Sequence, residues 1–159
     1  MNAPFPATLE EEAVELGEMS RSVGFLLRMA QTRVYDQFFQ EFAGTDVRPG
    51  EFTVIWVLAL NPGLRQGTLA RTLNIKAAHM TKLVARLVRE GHVIRTVPPE
   101  DRRSVLLSLT ESGHAHLDRH RGRFMSVHRA ERVGLTDDEM TNLLALLAKL
   151  NFQEGPECP

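Results

Sequence analysis

Nine of the nineteen lysines and arginines lie between Asn61 and Thr110: Arg65, Arg71, Lys76, Lys82, Arg86, Arg89, Arg95, Arg102 and Arg103. Glu90, Glu100 and Asp101 alone oppose them there, so this window carries +6 while the remainder, with ten basic and seventeen acidic residues, carries −7. The total of −1 conceals that division. A basic third set in an acidic chain is an electrostatic footprint for a polyanion, and the acidic remainder, repelled by the same polyanion, helps to orient the approach.

Other chemistries have little to stand on. The sequence holds no Gly-rich phosphate loop, no Gly-x-Ser-x-Gly elbow, no His-Glu-x-x-His and no carboxylate pair in a fixed context, so neither an enzyme nor a cofactor is expected. Asp137, Asp138 and Glu139 form a helix-start cluster, which capping and the helix dipole already explain. His116 and His120 sit four apart on one helix face close to His114, but Arg119, Arg121 and Arg123 surround them and no cysteine is near. Charge therefore opposes a cation there, and no metal site is expected. The single cysteine, Cys158, has no partner for an intramolecular disulfide, and a thiol beside Glu157 in a loose tail lacks the electropositive setting of a redox sensor.

Positioning the basic window falls to a series of short elements. Apolar residues at Met19, Val23, Leu26, Leu27, Ala30, Val34, Phe38 and Phe42 recur at three- and four-residue steps, which predicts one amphipathic helix from about Gly17 to Ala43. Arg48-Pro49-Gly50-Glu51 signals the start of an apolar helix, Phe52 to Leu60, stopped by Asn61-Pro62-Gly63. A short helix, Gln66 to Leu73, a break at Asn74 and Ile75, and a helix from Lys76 to Glu90 closed by Gly91 make a helix-turn-helix layout. Met80, Leu83, Val84, Leu87 and Val88 form the inner stripe of that last helix.

After Gly91 the period changes. Val93 to Val97 and Val105 to Leu109 are β-rich runs around a charged Pro-Pro-Glu-Asp-Arg-Arg turn, which predicts a β-hairpin. Thr110 caps a helix beginning at Glu111, and Thr136 with Glu139 opens the last, leucine-rich helix. The expected class is mainly α with a small β-hairpin wing: a winged helix-turn-helix over 48–110, a helical region over 17–45 and 111–152, and flexible termini at 1–16 and 153–159. The longest apolar run is too short to span a membrane, and the N-terminal residues lack the basic and apolar regions of a secretory signal, so a cytoplasmic location is expected.

Five stretches together resemble the MarR family of bacterial transcriptional regulators: Leu69-Ala70-Arg71-Thr72-Leu73-Asn74-Ile75; Met80-Thr81-Lys82-Leu83-Val84 with Leu87; Gly91-His92-Val93-Ile94-Arg95; Asp101-Arg102-Arg103-Ser104; and Leu109-Thr110-Glu111-Ser112-Gly113. The resemblance runs from the first helix to Leu150. It implies a homodimer, a palindromic double-stranded DNA operator and a small-molecule effector that weakens DNA binding, repression being the commoner mode. On the sequence's own terms, the broad apolar stripes of the first and last helices exceed what a lone winged domain could cover, which also suits a second copy.

Within that frame Lys76, Ala77, Ala78 and His79 would meet base edges, the alanines against thymine methyl groups. Thr81, Lys82 and Arg86 would hold phosphates and fix register. Arg102 and Arg103 would lie at the wing tip, Arg103 entering a narrow minor groove, with Asp101 orienting an arginine. The resemblance puts the effector between the first helix, the Phe52 helix and the Glu111 helix. Arg21, Phe25, Arg28, Met29, Trp56 and His128 are the candidates there, arginine suiting a carboxylate and the aromatic residues a ring. An aromatic carboxylate or its coenzyme A thioester, inducing a catabolic operon for aromatic compounds, is the expected effector. Packing of Phe25, Met29 and Trp56 in the core is the alternative for those residues. For the whole chain the alternatives are a metal-responsive regulator or a winged-helix protein–protein adaptor without DNA binding.

Overall fold

Helix starts and stops written into the sequence are built as hydrogen-bonded caps in a computed structural model, which describes residues 14–101 and 104–151. Arg102, Arg103, Cys158 and most of the expected flexible termini lie outside the described residues. A 3₁₀ turn, Gly17–Arg21, precedes α1 (Val23–Glu41), α2 (Pro49–Leu60), β1 (Leu64–Arg65), α3 (Gln66–Thr72), α4 (Ala77–Arg89), β2 (Val93–Thr96), β3 (Leu106–Leu109), α5 (Glu111–Val127), α6 (Ala130–Val133) and α7 (Asp137–Asn151). The chain divides into two compact units between Arg33 and Val34, within α1.

In the first unit the continuous helix expected from Gly17 is interrupted. Gly17 takes a positive φ of 50°, i→i+3 bonds tighten the next turn, and Ser22 is extended with ψ of 122° before α1 begins. The apolar spacing survives the interruption, which is why the sequence reads as one helix. Val23, Leu26, Leu27 and Met29 of this unit are exposed.

The second unit is organised around α2. Its residues are apolar on every side, and Phe52, Val54, Ile55 and Leu58 are all buried. Such a helix has no solvated face to offer and must be covered. It packs on α5 and on β3. The C-terminal part of α1 adds Phe38, stacked on Phe42 at 4.5 Å between ring centroids and set edge-on to Phe124 of α5 at 5.8 Å.

Between α3 and α4 the turn closes by two backbone bonds, Ile75 N–H to Ala70 O (2.8 Å) and Asn74 N–H to Arg71 O (3.1 Å). Asn74 supplies the left-handed residue this motif needs, with φ of 50°. Gly91 does the same after α4, at φ of 78°, with His92 N–H bonded to Leu87 O and Gly91 N–H to Val88 O. Leu69 and Ala70 are buried and Leu73 half-buried, so the two helices approach closely. On α4, Met80, Val84 and Leu87 are buried, Leu83 is half-buried, and Val88, expected inside, is exposed.

The hairpin is part of a three-stranded antiparallel sheet ordered β1-β3-β2. β2 and β3 pair from Val93↔Leu109 to Thr96↔Leu106, and β1 adds Leu64↔Leu107 and Arg65↔Leu106. Thr110 caps α5 by accepting from Gly113 N–H (3.0 Å). Thr136 and Glu139 cap α7 reciprocally, at 2.8 and 3.3 Å. The four-residue α6 had no expected counterpart in the sequence reading. α7 has no buried residue, and Leu143, Leu144, Leu146 and Leu150 are exposed. No described helix is long and apolar enough to cross a membrane.

α4, β2 and α5 meet at one point. Thr110 N–H donates to His92 O (3.0 Å), its hydroxyl donates to Gly91 O (2.6 Å), and a Cβ at Gly113 would collide with the His92 carbonyl. Gly113→Ala is therefore expected to lower the unfolding free energy in urea denaturation by about 1–3 kcal/mol, the range for forcing a methyl group into filled space. Unchanged stability would mean that the junction yields freely.

Candidate nucleic-acid interface

With α4 buried along Met80, Val84 and Leu87, the helical repeat sends Ala78, Lys82, Ala85 and Arg89 to the opposite side, and all four are exposed. Two small residues alternating with two cations make a face that a duplex groove can approach closely. Lys76, the N-cap, is exposed in an extended conformation, and Ala77, His79 and Thr81 are exposed as well. Thr81 also fastens the two helices together: its hydroxyl donates to Ala77 O (2.9 Å) and accepts from the Gln66 side-chain amide (3.2 Å). Arg89 stands central on the outward face, at helical spacing from Ala78 and Lys82.

Arg86, expected on a phosphate, is committed elsewhere. It lies on the flank of α4 with His79 and Glu90, and its Nε reaches Glu90 Oε1 at 2.7 Å and Glu51 Oε1 at 3.4 Å. The hydrogen bond to Glu90, above all, raises its already high pKa. A guanidinium shared by two carboxylates has little charge left for a third anion. Glu51 sits in the first turn of α2 and is the one buried charged residue among those described, 6% exposed.

At the wing, the carboxylate of Asp101 accepts from Arg65 (3.3 Å) and from the Ser104 hydroxyl, which also accepts from Arg65 (2.8 Å). Asp101 thus orients an arginine, Arg65 of β1, and this clasp ties the wing to the start of α3. The sequence reading did not foresee Arg65, whose partner lies thirty-six positions away.

The effector candidates fall in two groups. In the first unit the Arg28 guanidinium lies 5.8 Å from the Phe25 ring centroid, with Met29 Sδ 3.7 Å from its Nη2, and Arg21 is exposed at the end of the 3₁₀ turn. Among the described residues neither arginine pairs with a carboxylate. In the second unit Trp56 packs against Phe52 and Phe124, with the Arg121 guanidinium 5.0 Å from its ring centroid, and His128 meets Phe124 edge-on at 4.9 Å. Trp56 is thus also part of the aromatic packing. Burial lowers the pKa of His128.

His116 and His120 share a face as expected, their ring centroids 4.8 Å apart, and the His92 ring lies tilted against His116 at 4.4 Å. His114 is exposed and apart from them. Burial first, then neighbouring His92, His120 and Arg119, push His116 down to about 4. His120 is lowered by burial and by Arg119 and Arg123. Among the described residues no group of three or more His, Cys, Asp or Glu is arranged to hold a metal ion.

Comparison with known proteins joins these features. The sequence pattern of the MarR family matches residues 45–104. A Thauera aromatica protein assigned to transcriptional regulation of the hcr operon is 31% identical over 155 residues, 97% of this chain and 93% of that one. The homoprotocatechuate degradative operon repressor of Escherichia coli is 28% identical over 97 residues, 61% of this chain and 66% of that one. The transcriptional repressor CouR, solved bound to a 23-mer DNA duplex, superimposes with a TM-score of 0.80 at 33% identity, over 89% of this chain and 100% of that chain.

The burial of His116, with His92 and His120 beside it, makes stability depend on pH. His116 titrates at 6.5 when unfolded but at about 4 in the fold, so the unfolded chain takes up the proton first as pH falls between those values. Stability should be full above 6.5 and decline toward 4, and His116→Phe should flatten that decline in denaturation curves taken across the range. An unchanged profile in the variant would assign the loss to other groups.

Proposed function

The chain belongs to the MarR family of transcriptional regulators, and from that premise we propose that it is a dimeric repressor of a palindromic operator, released by an aromatic carboxylate or its coenzyme A thioester. The observation that carries the DNA-binding reading is the outward face of α4, where Ala78 and Ala85 alternate with Lys82 and Arg89 on a helix whose other face is buried. Lys76, Ala77, Ala78 and His79 read base edges, and Thr81, Lys82 and Arg89 hold phosphates. Arg102 and Arg103 extend the contact into the minor groove from the wing that Asp101 and Arg65 steady.

Dimerisation is supported by the apolar side chains that one chain leaves uncovered, Leu26 and Leu27 on α1 and Leu143, Leu144, Leu146 and Leu150 on α7. Closed two-fold symmetry is the commonest way to cover such faces. It would set the two α4 helices about 34 Å apart, one duplex turn. The helical regions 17–45 and 111–152 carry the dimer and 48–110 the DNA contacts. An effector that favours another spacing then lowers operator affinity by the difference in its own affinity for the two arrangements.

For the effector class, support comes from the relative that represses a homoprotocatechuate degradative operon, and from Arg28 lying against Phe25 with no carboxylate partner among the described residues. Arg21, Phe25, Arg28 and Met29 are the effector candidates of the first unit, and Trp56 and His128 those of the second.

Fluorescence anisotropy against the duplex upstream of the protein's own gene, at several salt concentrations, tests this reading. Operator affinity should fall steeply with salt, and Lys82→Ala and Arg89→Ala should each reduce the log–log slope by about one, the expected loss of one phosphate contact. Binding at low salt that is absent altogether would favour the protein–protein adaptor. A panel of aromatic acids and their coenzyme A thioesters should include a compound that relieves binding, and Arg28→Ala should abolish the relief while operator affinity persists. Relief by metal ions instead would transfer the effector role to the metal-responsive alternative.

A further inference from the structure

Glu51 stands where a charge is costly. It is buried in the first turn of α2, and burial raises its pKa above the ordinary carboxylate range, with the Arg86 charge opposing the rise. A carboxyl group whose pKa is raised on folding favours the fold when protonated, and its ionised form opposes folding once the pH exceeds that raised value. Apolar side chains of similar size commonly replace a buried ion pair as a unit with no loss of stability, and here Glu90 would still hold Arg86 at 2.7 Å were Glu51 alone replaced. Stability therefore does not account for a carboxylate at this position.

Its location supplies another account. α4 packs on α3 and β2, while toward α2 it is bordered by two clefts. One, of about 170 Å³, includes Ile55, Leu87 and His116, and the other, of about 350 Å³, includes His79, Lys82 and Leu83. Glu51 lines both. The contact of its Oε1 with Arg86 Nε at 3.4 Å is thus a bridge from α2 to α4 with open space on either side, and Glu90 fixes the guanidinium from the α4 side at 2.7 Å.

We propose that Glu51 is the positioning residue of α4: within the roll that the buried stripe of Met80, Val84 and Leu87 allows, it holds the helix through Arg86, and with it the direction of the face formed by Ala78, Lys82, Ala85 and Arg89. This rests on the reading of α4 as the helix that meets DNA. A roll of about 20° would carry side-chain ends about 8 Å from the axis sideways by about 3 Å, the length of a hydrogen bond. Base contacts do not survive such a displacement, whereas phosphate attraction tolerates it. Glu51 accordingly governs discrimination between sequences more than affinity for DNA as such.

The test compares wild type, Glu51→Met, Glu51→Gln, Arg86→Met and the Glu51→Met/Arg86→Met double variant. Each is titrated by anisotropy against the duplex upstream of the protein's own gene and a scrambled duplex of equal length, and each is melted thermally. Glu51→Met should weaken binding to the upstream duplex by about tenfold, leave the scrambled duplex within about twofold, and melt no lower than wild type. Glu51→Gln, which keeps a polar oxygen within reach of Arg86, should recover part of the discrimination. The double variant should be no worse than the poorer single variant. Retained discrimination in Glu51→Met, additive losses in the double variant, or parallel losses on both duplexes with a lower melting temperature would each overturn the proposal. Failure of wild type itself to prefer the upstream duplex would overturn the recognition reading of α4 and this inference with it.

Discussion

The carbonyl oxygens of Gly91 and His92 hold the structure's three moving parts together. α4 ends there, β2 begins there, and Thr110 brings the start of α5 against both oxygens through its N–H and its hydroxyl. Hydrogen bonds at such a junction leave no orphaned backbone group, and the absence of a side chain at Gly113 lets the helix come close enough to form them. α4, the wing and α5 are consequently fixed to one another over a few residues. Any tilt of α5 is transmitted to α4 through backbone rather than through adaptable side chains.

Three dimensions sharpen the charge division already present along the chain. Two arginines outside the basic window are met by one acid: Glu41 accepts both Arg123 (3.1 Å) and Arg132 (2.9 Å), and Arg123 further donates to the Glu41 carbonyl. Inside the window, Lys76, Lys82, Arg89 and Arg95 are exposed and pair with no carboxylate among the described residues. The field that a polyanion meets is therefore set by fewer cations than the sequence contains, and those few are concentrated at α4 and the wing.

What the sequence disclosed and what it hid follow the range of the interactions involved. Pro49, Asn74, Gly91, Thr110 and the Thr136–Glu139 pair act within four residues of themselves, and each was legible because its hydrogen-bonding consequence is local. The break at Ser22 was not legible, since the apolar spacing runs through it unchanged. β1 is two residues long and has no period of its own; pairing with Leu106 and Leu107 alone makes it a strand. The commitment of Arg86 depends on Glu51, and the packing of His92 against His116 on the turn at Gly91 that delivers it, both set by tertiary packing. The contact face of α4 was half visible: Lys76 to Lys82 stand in a row, while Arg89 joins them only after the buried stripe fixes which way the helix faces.

β3 is the central strand of its sheet and takes β1 on one side and β2 on the other. Pairing Leu64 with Leu107 closes a loop of about forty residues whose entropy must be met before any contact inside it is secure. α3, α4 and the wing all lie within that loop. α4 is thus not an appendage at one end of the fold but lies inside a loop that closes only when the strand that follows the wing has been made. During synthesis at the ribosome, the segment through Thr96 would emerge with its turn and caps encoded but its closure lacking. Competence to recognise a duplex would then arrive late and all at once, with β3.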